Sequence, residues 1–316
     1  MILSLSLFIG SAVGNAAGQV PKAIFVIVDG IPADVLEIVA TPNLDAISAV
    51  GGYTRAYVGG AIDTPSESPT VSAVGYMSLL TGTWANKHNV WNNYILKPDY
   101  DYWDIFRLAK AHDESLETAI FSTWTDNRTK LIGDGLQRAG GNKLDYYFDG
   151  FEKDTERFPH DSAKNHLQQI DDLVATEAAR YIRENGPALS WVYLEHTDAV
   201  GHQHGDSPEM TQAIELMDNR IGLLWTAVTS RQIEHGEDWL LIVTTDHGRD
   251  LRTGKNHGGQ SERERTIWIV TNHDELKESF YLSPGIVDIM PSIATHINLA
   301  IPPHIAKALD GQSFIK

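Results

Sequence analysis

Residues Leu241–Asp250 read LIVTTDHGRD. An apolar, β-branched run ends in two threonines, and then Asp246 and His247 stand side by side before Gly248. Such a run, closed by a turn signal, predicts a buried parallel strand. A carboxylate and an imidazole placed where that strand runs out fall at the edge of an α/β sheet where ligands bind.

The same signature recurs along the chain. KAIFVIVDG (Lys22–Gly30) is a continuous β-rich run ending at Asp29, and ALSWVYLEHTD (Ala188–Asp198) is another, ending near Glu195–Asp198. ETAIFSTW (Glu117–Trp124) and RTIWIVTN (Arg265–Asn272) are further strand candidates. Helical patterns alternate with them. Thr41 is the expected N-cap, Pro42 the first residue and Gly51 the stop of one helix. Apolar spacing predicts two more over Ser162–Asn185 and Pro208–Thr229. Strands alternating with helices imply an α/β fold with a mostly parallel central sheet and helices on both faces. The aromatic stretch Trp84–Trp103 and the polar stretch Asp149–Asp161 read as lid-like excursions over the top of that sheet. No linker divides the chain, so residues 20–316 are read as a single catalytic domain.

Bulk composition narrows the function classes. The chain has 316 residues, 42% hydrophobic content and a formal net charge of −17. A surface this acidic repels nucleic acid duplexes and anionic lipid. An anionic substrate would need a local inversion of the field, which bound divalent cations supply. With no cysteine, thiol catalysis, disulfides and Cys-based zinc sites are excluded. The opening MILSLSLFIGSAVGNAAGQ (Met1–Gln19) has the apolar run and small residues of a signal peptide, read over residues 1–17, although no Lys or Arg precedes the run. Export to the periplasm or outside the cell is the expectation. No stretch is long and apolar enough to predict a stable membrane span.

Metal-ligating residue types gather at the predicted strand ends: Asp29; Asp198, His202 and His204 in TDAVGHQHG; Asp246 and His247; and His257 in GKNHGGQSERE. Carboxylate and imidazole together suit zinc and similar ions. A nucleophile is offered by ESPTVSAVGYMSLLTG (Glu67–Gly82), where Ser72 stands at the start of a predicted helix. A hydroxyl there is either a plain N-cap or a group facing free N–H donors and the positive end of the dipole, which favour a phosphate. A metal beside it would lower its pKa.

In this order the motifs resemble the alkaline phosphatase superfamily, nearest to its type I phosphodiesterase/nucleotide pyrophosphatase branch. The matching pieces are VIVDG, TPNLDAI, SPTVSAVGYMSLLTGTWANKHNVWNN, TDAVGHQHG, VTTDHG, NHGG and the tail GIVDIMPSIATHINLAIPPHIAKALDGQS. The resemblance implies an alkaline-phosphatase-like three-layer sandwich. It implies Asp198, His202 and His257 as ligands of one zinc, and Asp29, Asp246, His247 and the Ser72 oxygen as ligands of a second. It further implies attack by Ser72 on phosphorus, a covalent phospho-enzyme, and release by water. Asn93, or Asn92 beside it, falls where this branch places an amide that donates to a phosphoryl oxygen. The substrate is then a small phosphoester, a nucleotide or other phosphodiester first and a phosphomonoester second.

There are departures. The branch usually has threonine as nucleophile within Lys-Thr-Phe-Pro-Asn, where this chain reads Val71-Ser72-Ala73-Val74-Gly75. The Pro and Arg expected around a sulfatase nucleophile are also missing, and there is no room for the inserted domain of a phosphoglycerate mutase. A non-catalytic binding protein on the same scaffold is the alternative of a different class. Lys153, Arg157, Arg263 and Arg265 are the cations that a monoester reading would draw on, with Arg263 and Arg265 otherwise part of a solvated charge run. Trp84, Trp91 and Trp103 are either an aromatic wall or packing residues. His196, His204 and His88 read as supporting or surface groups, and Asn127–Thr129 (NRT) matches a glycosylation acceptor.

Overall fold

A computed structural model describes residues 19–316; the expected signal segment, residues 1–17, lies outside the described residues. The strands are β1 (Pro21–Val28), β2 (Gly52–Tyr57), β3 (Thr118–Ser122), β4 (Tyr146–Phe148), β5 (Leu189–Leu194), β6 (Asp238–Thr244) and β7 (Thr266–Thr271). They form one seven-stranded sheet in the order β2-β7-β6-β1-β5-β3-β4. β1 lies parallel between β5 and β6, and β3 is parallel to β5 and β4. β7 runs antiparallel to both β6 and β2.

Alternate residues of the central strands face opposite sides, and both sides are buried, which is why these strands read as unbroken apolar runs. Phe25, Ile27, Trp191, Tyr193, Leu240 and Ile242 pack on one face against the Ser72–Thr81, Ile105–His112 and Ile289–His296 helices. Ile24, Val26, Val192, Leu241 and Val243 pack on the other against the Pro42–Val50, Asn165–Asn185 and Pro208–His235 helices. The result is the expected three-layer sandwich.

Several expectations need correction. The edge strand β2 is absent from the sequence reading, and β7 enters the sheet reversed. Thr41 stands at the N-cap, but its side chain accepts no capping bond. The buried Asp218 on the Pro208–His235 helix accepts from the Asn43 and Leu44 amides instead, at 3.0 and 2.9 Å. Gly51 is required by close approach rather than by a left-handed turn: a Cβ there would lie 2.4 Å from the Thr271 carbonyl oxygen. Asp198 is not on a strand end. β5 stops at Leu194, and Asp198 and His202 lie one turn apart on the His196–His204 helix.

Register explains how the site is assembled. Val28 pairs with Leu194 and Ile27 with Thr244, so the three central strands end level. Asp29, Glu195 and Asp246 therefore leave the sheet together along its carboxyl edge.

Candidate active site

Two overlapping clusters of ligating atoms form at that edge: Asp29, Asp246 and His247, and Asp198, His247 and His257. His247 Nε2 lies 3.4 Å from Asp29 Oδ1, 3.2 Å from Asp246 Oδ2 and 3.4 Å from Ser72 Oγ. His202 Nε2 lies 3.4 Å from Asp198 Oδ2 and 3.1 Å from His257 Nε2. The His247 and His257 rings stack at 3.6 Å. Every residue expected as a metal ligand is thus in one place. The Asp29 group is enclosed, whereas Asp198 and His202 reach solvent.

Local chemistry fits a cation there. Among the described residues, Asp29 Oδ1 and Asp246 Oδ2 are buried without a hydrogen-bond partner, and both face His247 Nε2. His247 Nδ1 lies 2.9 Å from the Gly248 carbonyl and His257 Nδ1 2.9 Å from the Thr70 carbonyl. Each Nδ1 must therefore carry its proton, which leaves the Nε2 lone pairs aimed at the cluster. Burial holds both imidazoles below their ordinary pKa, and Arg249 nearby acts in the same direction. Burial and the neighbouring carboxylates Asp246 and Asp198 push Asp29 well up, against the phenols of Tyr76 and Tyr193. Burial raises Asp246 to about 7, with Asp198 adding to the rise and the Gly30 amide opposing it. Neutral imidazoles and crowded, desolvated carboxylates are lone pairs without donors, and divalent cations satisfy such a set.

The clustered side chains are held from behind. Tyr193 donates to Asp29 Oδ2 at 2.7 Å, and the buried Tyr76 hydroxyl donates to the same oxygen. The Gly30 amide donates to Asp246 Oδ1 at 3.0 Å. Gly258 N donates to Thr70 Oγ1, and Thr70 Oγ1 donates to the Gly259 carbonyl, each at 2.9 Å, so the His257 loop is tied two residues from Ser72.

Ser72 is the first residue of the wholly buried Ser72–Thr81 helix, and Val71 is the N-cap. The N-cap valine has no polar side chain, and the Ser72 hydroxyl lies against His247 Nε2. Asn93 Oδ1 accepts from the Ala73 amide at 2.9 Å, which leaves the Asn93 NH2 free beside the helix start. Asn92 uses its Oδ1 on the Tyr94 amide within its own turn.

The model of the family described as type I phosphodiesterase/nucleotide pyrophosphatase matches residues 23–258, which include every one of these ligands. The chain belongs to that family. It is a phosphoester hydrolase of the alkaline phosphatase superfamily, a group whose chemistry is normally metal-dependent. Solved structures share its fold. Murine ectonucleotide pyrophosphatase/phosphodiesterase 5 matches at 16% identity with a TM-score of 0.60, over 89% of this chain and 96% of that one. The phosphonate monoester hydrolase of Agrobacterium radiobacter matches at 15% identity and 0.61, over 93% and 76%. A sulfatase of Bacteroides thetaiotaomicron, described as a putative one, matches at 11% identity and 0.64, over 93% and 74%.

Other singled-out residues of this phosphodiesterase-family chain lie elsewhere. Glu262–Arg265 is not a plain solvated run but a short helix with a Ser261–Glu264 capping box. Arg263 pairs with Asp34 and Asp206, and Arg265 donates to the Gly59 carbonyl at 3.0 Å. Lys153 is exposed, and Arg157 lies over the Phe151 and Phe158 rings. Trp84 packs on Tyr57 and Trp103 on Arg107, whereas Trp91 is exposed. His88 is buried against Ser78, and His196 is buried away from the clusters. Asn127 is fully buried and donates to Ser122 Oγ, so it accepts no glycan in the folded chain. Sequence reading missed Tyr76, Tyr193 and Arg249. Only Arg249, two residues after His247, carried a signal: a charge following a buried strand.

Proposed function

We propose that this chain is an exported, two-zinc phosphodiesterase or nucleotide pyrophosphatase with Ser72 as its nucleophile. The observation that carries the reading is the convergence of Ser72 Oγ on the unpartnered oxygens of Asp29 and Asp246 and the Nε2 atoms of two neutral histidines. Asp29, Asp246, His247 and Ser72 would hold one zinc, and Asp198, His202 and His257 the other. Bound there, the cations would neutralise phosphoryl charge and lower the pKa of the serine hydroxyl and of a water. Ser72 Oγ attacks phosphorus and the ester oxygen opposite leaves as the first alcohol, giving a covalent phospho-enzyme that still carries the second ester group and that water hydrolyses to a phosphomonoester and free serine. The Asn93 NH2 donates to a non-bridging oxygen as charge builds there.

Charge favours a diester. A monoester dianion demands a further cation, and Arg263, Arg265, Lys153 and Arg157 are engaged elsewhere or turned to solvent. The murine relative has been solved in complex with AMP, which makes nucleotides a first substrate class to try. A sulfatase reading lacks support, because Val74 and Tyr76 stand where a proline and an arginine would be required.

The test is hydrolysis of bis-p-nitrophenyl phosphate and p-nitrophenyl phosphate side by side, with metal content measured on the same sample. Diester preference and two zinc ions per chain are expected. Monoester preference would overturn the substrate assignment. An inactive, metal-free protein would return the chain to the class of binding scaffolds.

A further inference from the structure

We propose that Arg249 is a positioning residue: it aims Asp198, and through Asp198 it governs whether the position formed by Asp198, His202 and His257 holds its metal. This rests on the two-metal reading above.

Arg249 is 1% exposed, so its guanidinium sits behind the ligands and out of reach of substrate. It donates to three separate segments. Nε donates to the Gly30 carbonyl at 2.8 Å, at the end of β1. Nη2 donates to the Asp198 carbonyl at 2.8 Å and also to Asp198 Oδ1. Nη1 donates to the Lys255 carbonyl at 3.2 Å, two residues before His257. A planar fork that cannot lose its proton thus fixes both the backbone and the carboxylate of Asp198. Asp198 Oδ1 accepts from it and is also the oxygen nearest His257, at 3.8 Å, and Oδ2 is the oxygen nearest His202.

The backbone is shaped around this fork. A Cβ on Gly30, where φ is +67°, would lie 2.6 Å from Nη2. One on Gly201 would lie 2.3 Å from both Cζ and Nε. Gly201 is inside the His196–His204 helix, where alanine is otherwise the better residue. Two glycines therefore keep a slot open for the guanidinium.

The second position is built differently. Asp29 and Asp246 are aimed by neutral donors, two phenols and the Gly30 amide, within a fully buried group. Asp198 and His202 lie at the open side, where rotamer freedom is greater, and a cationic fork restrains the carboxylate there.

The experiment is a competition titration of zinc against a chromophoric chelator on the full chain, for wild type, Arg249→Lys and Gly201→Ala. Circular dichroism of each sample reports the fold. Arg249→Lys keeps the charge and loses the fork; Gly201→Ala keeps every polar group and fills the slot. Each variant is expected to hold one zinc at a chelator concentration where wild type holds two, with zinc at the Asp198, His202 and His257 position bound at least tenfold more weakly. Two zinc ions at wild-type affinity in folded Gly201→Ala would overturn the assignment, as would loss of both ions from it. If wild type itself binds fewer than two, the two-metal reading fails instead.

Discussion

Ser72 shows how one residue's role turns on its neighbours. A serine at a helix start ordinarily turns its hydroxyl onto the backbone, but Val71 takes the N-cap and the Ser72 hydroxyl faces His247. Ser72→Ala is expected to lower turnover by at least about 10³-fold, as loss of a nucleophile does, while zinc content stays close to wild type. A variant near wild-type rate would remove Ser72 from the mechanism. Asn93→Ala is expected to lower kcat by about 10²–10³-fold with a smaller change in KM, because the amide acts on charge that develops in the transition state. A raised KM with kcat unchanged would point to ground-state binding instead. Asp29, Asp246 and His247 were legible because ligating types stood at the ends of apolar runs, whereas His202 and His257 were legible only through the resemblance of the motifs that carry them. Tyr76 and Tyr193 were not, because a tyrosine within an apolar helix or strand looks the same whether or not its hydroxyl meets a carboxylate.

At the scale of elements, the helix that begins at Ser72 is seated by a glycine. A Cβ on Gly75 would lie 2.9 Å from the Asp246 carbonyl oxygen, so this helix rests directly on the loop that carries Asp246 and His247. Gly75→Ala is expected to reduce activity sharply and to cost about 1–3 kcal/mol of stability by overpacking, read from urea unfolding. Unchanged kinetics would show that the two elements tolerate separation. The Pro42–Val50 helix is held by Asp218 across helices. Asp218→Ala is expected to cost about 1–2 kcal/mol, the range of a lost cap, with kcat preserved at 25 °C, because that helix lies on the face of the sheet away from Ser72. The central strands were legible by their unbroken apolar runs. β2 was not: GYTRAY alternates in burial and pairs only with β7, at the sheet edge, so its signal was weak.

Over the whole molecule, the carboxylates of the site link stability to pH. Burial raises Asp246 to about 7, and burial with Asp171 and Asp198 nearby raises Glu195 to about 8. In the unfolded chain both are ionised above about 4. The buried histidines act oppositely, but above about 7.5 they are largely neutral in both states. Between about pH 7.5 and 8.5 the metal-free folded state therefore binds more protons than the unfolded one, and stability falls as pH rises. On the two-zinc reading, bound zinc would displace the protons of Asp29 and Asp246, so its stabilising effect grows with pH. Tm measured at pH 7.5 and 8.5, with zinc and with chelator, is expected to show a lower metal-free Tm and a larger zinc increment at the higher pH. An increment independent of pH would count against Asp29 and Asp246 as ligands.

Periodicity and residue type act over short spans, so they determined what the chain could announce locally: buried strands, the helices between them, and ligating groups where strands stop. Whether those groups meet depends on sheet order, on register and on which helix carries Asp198, and these follow from contacts between residues far apart in sequence. Tertiary structure alone therefore decided that Arg249 turns inward to Asp198, that two phenols meet at Asp29, and that the distant arginines hold loops rather than substrate.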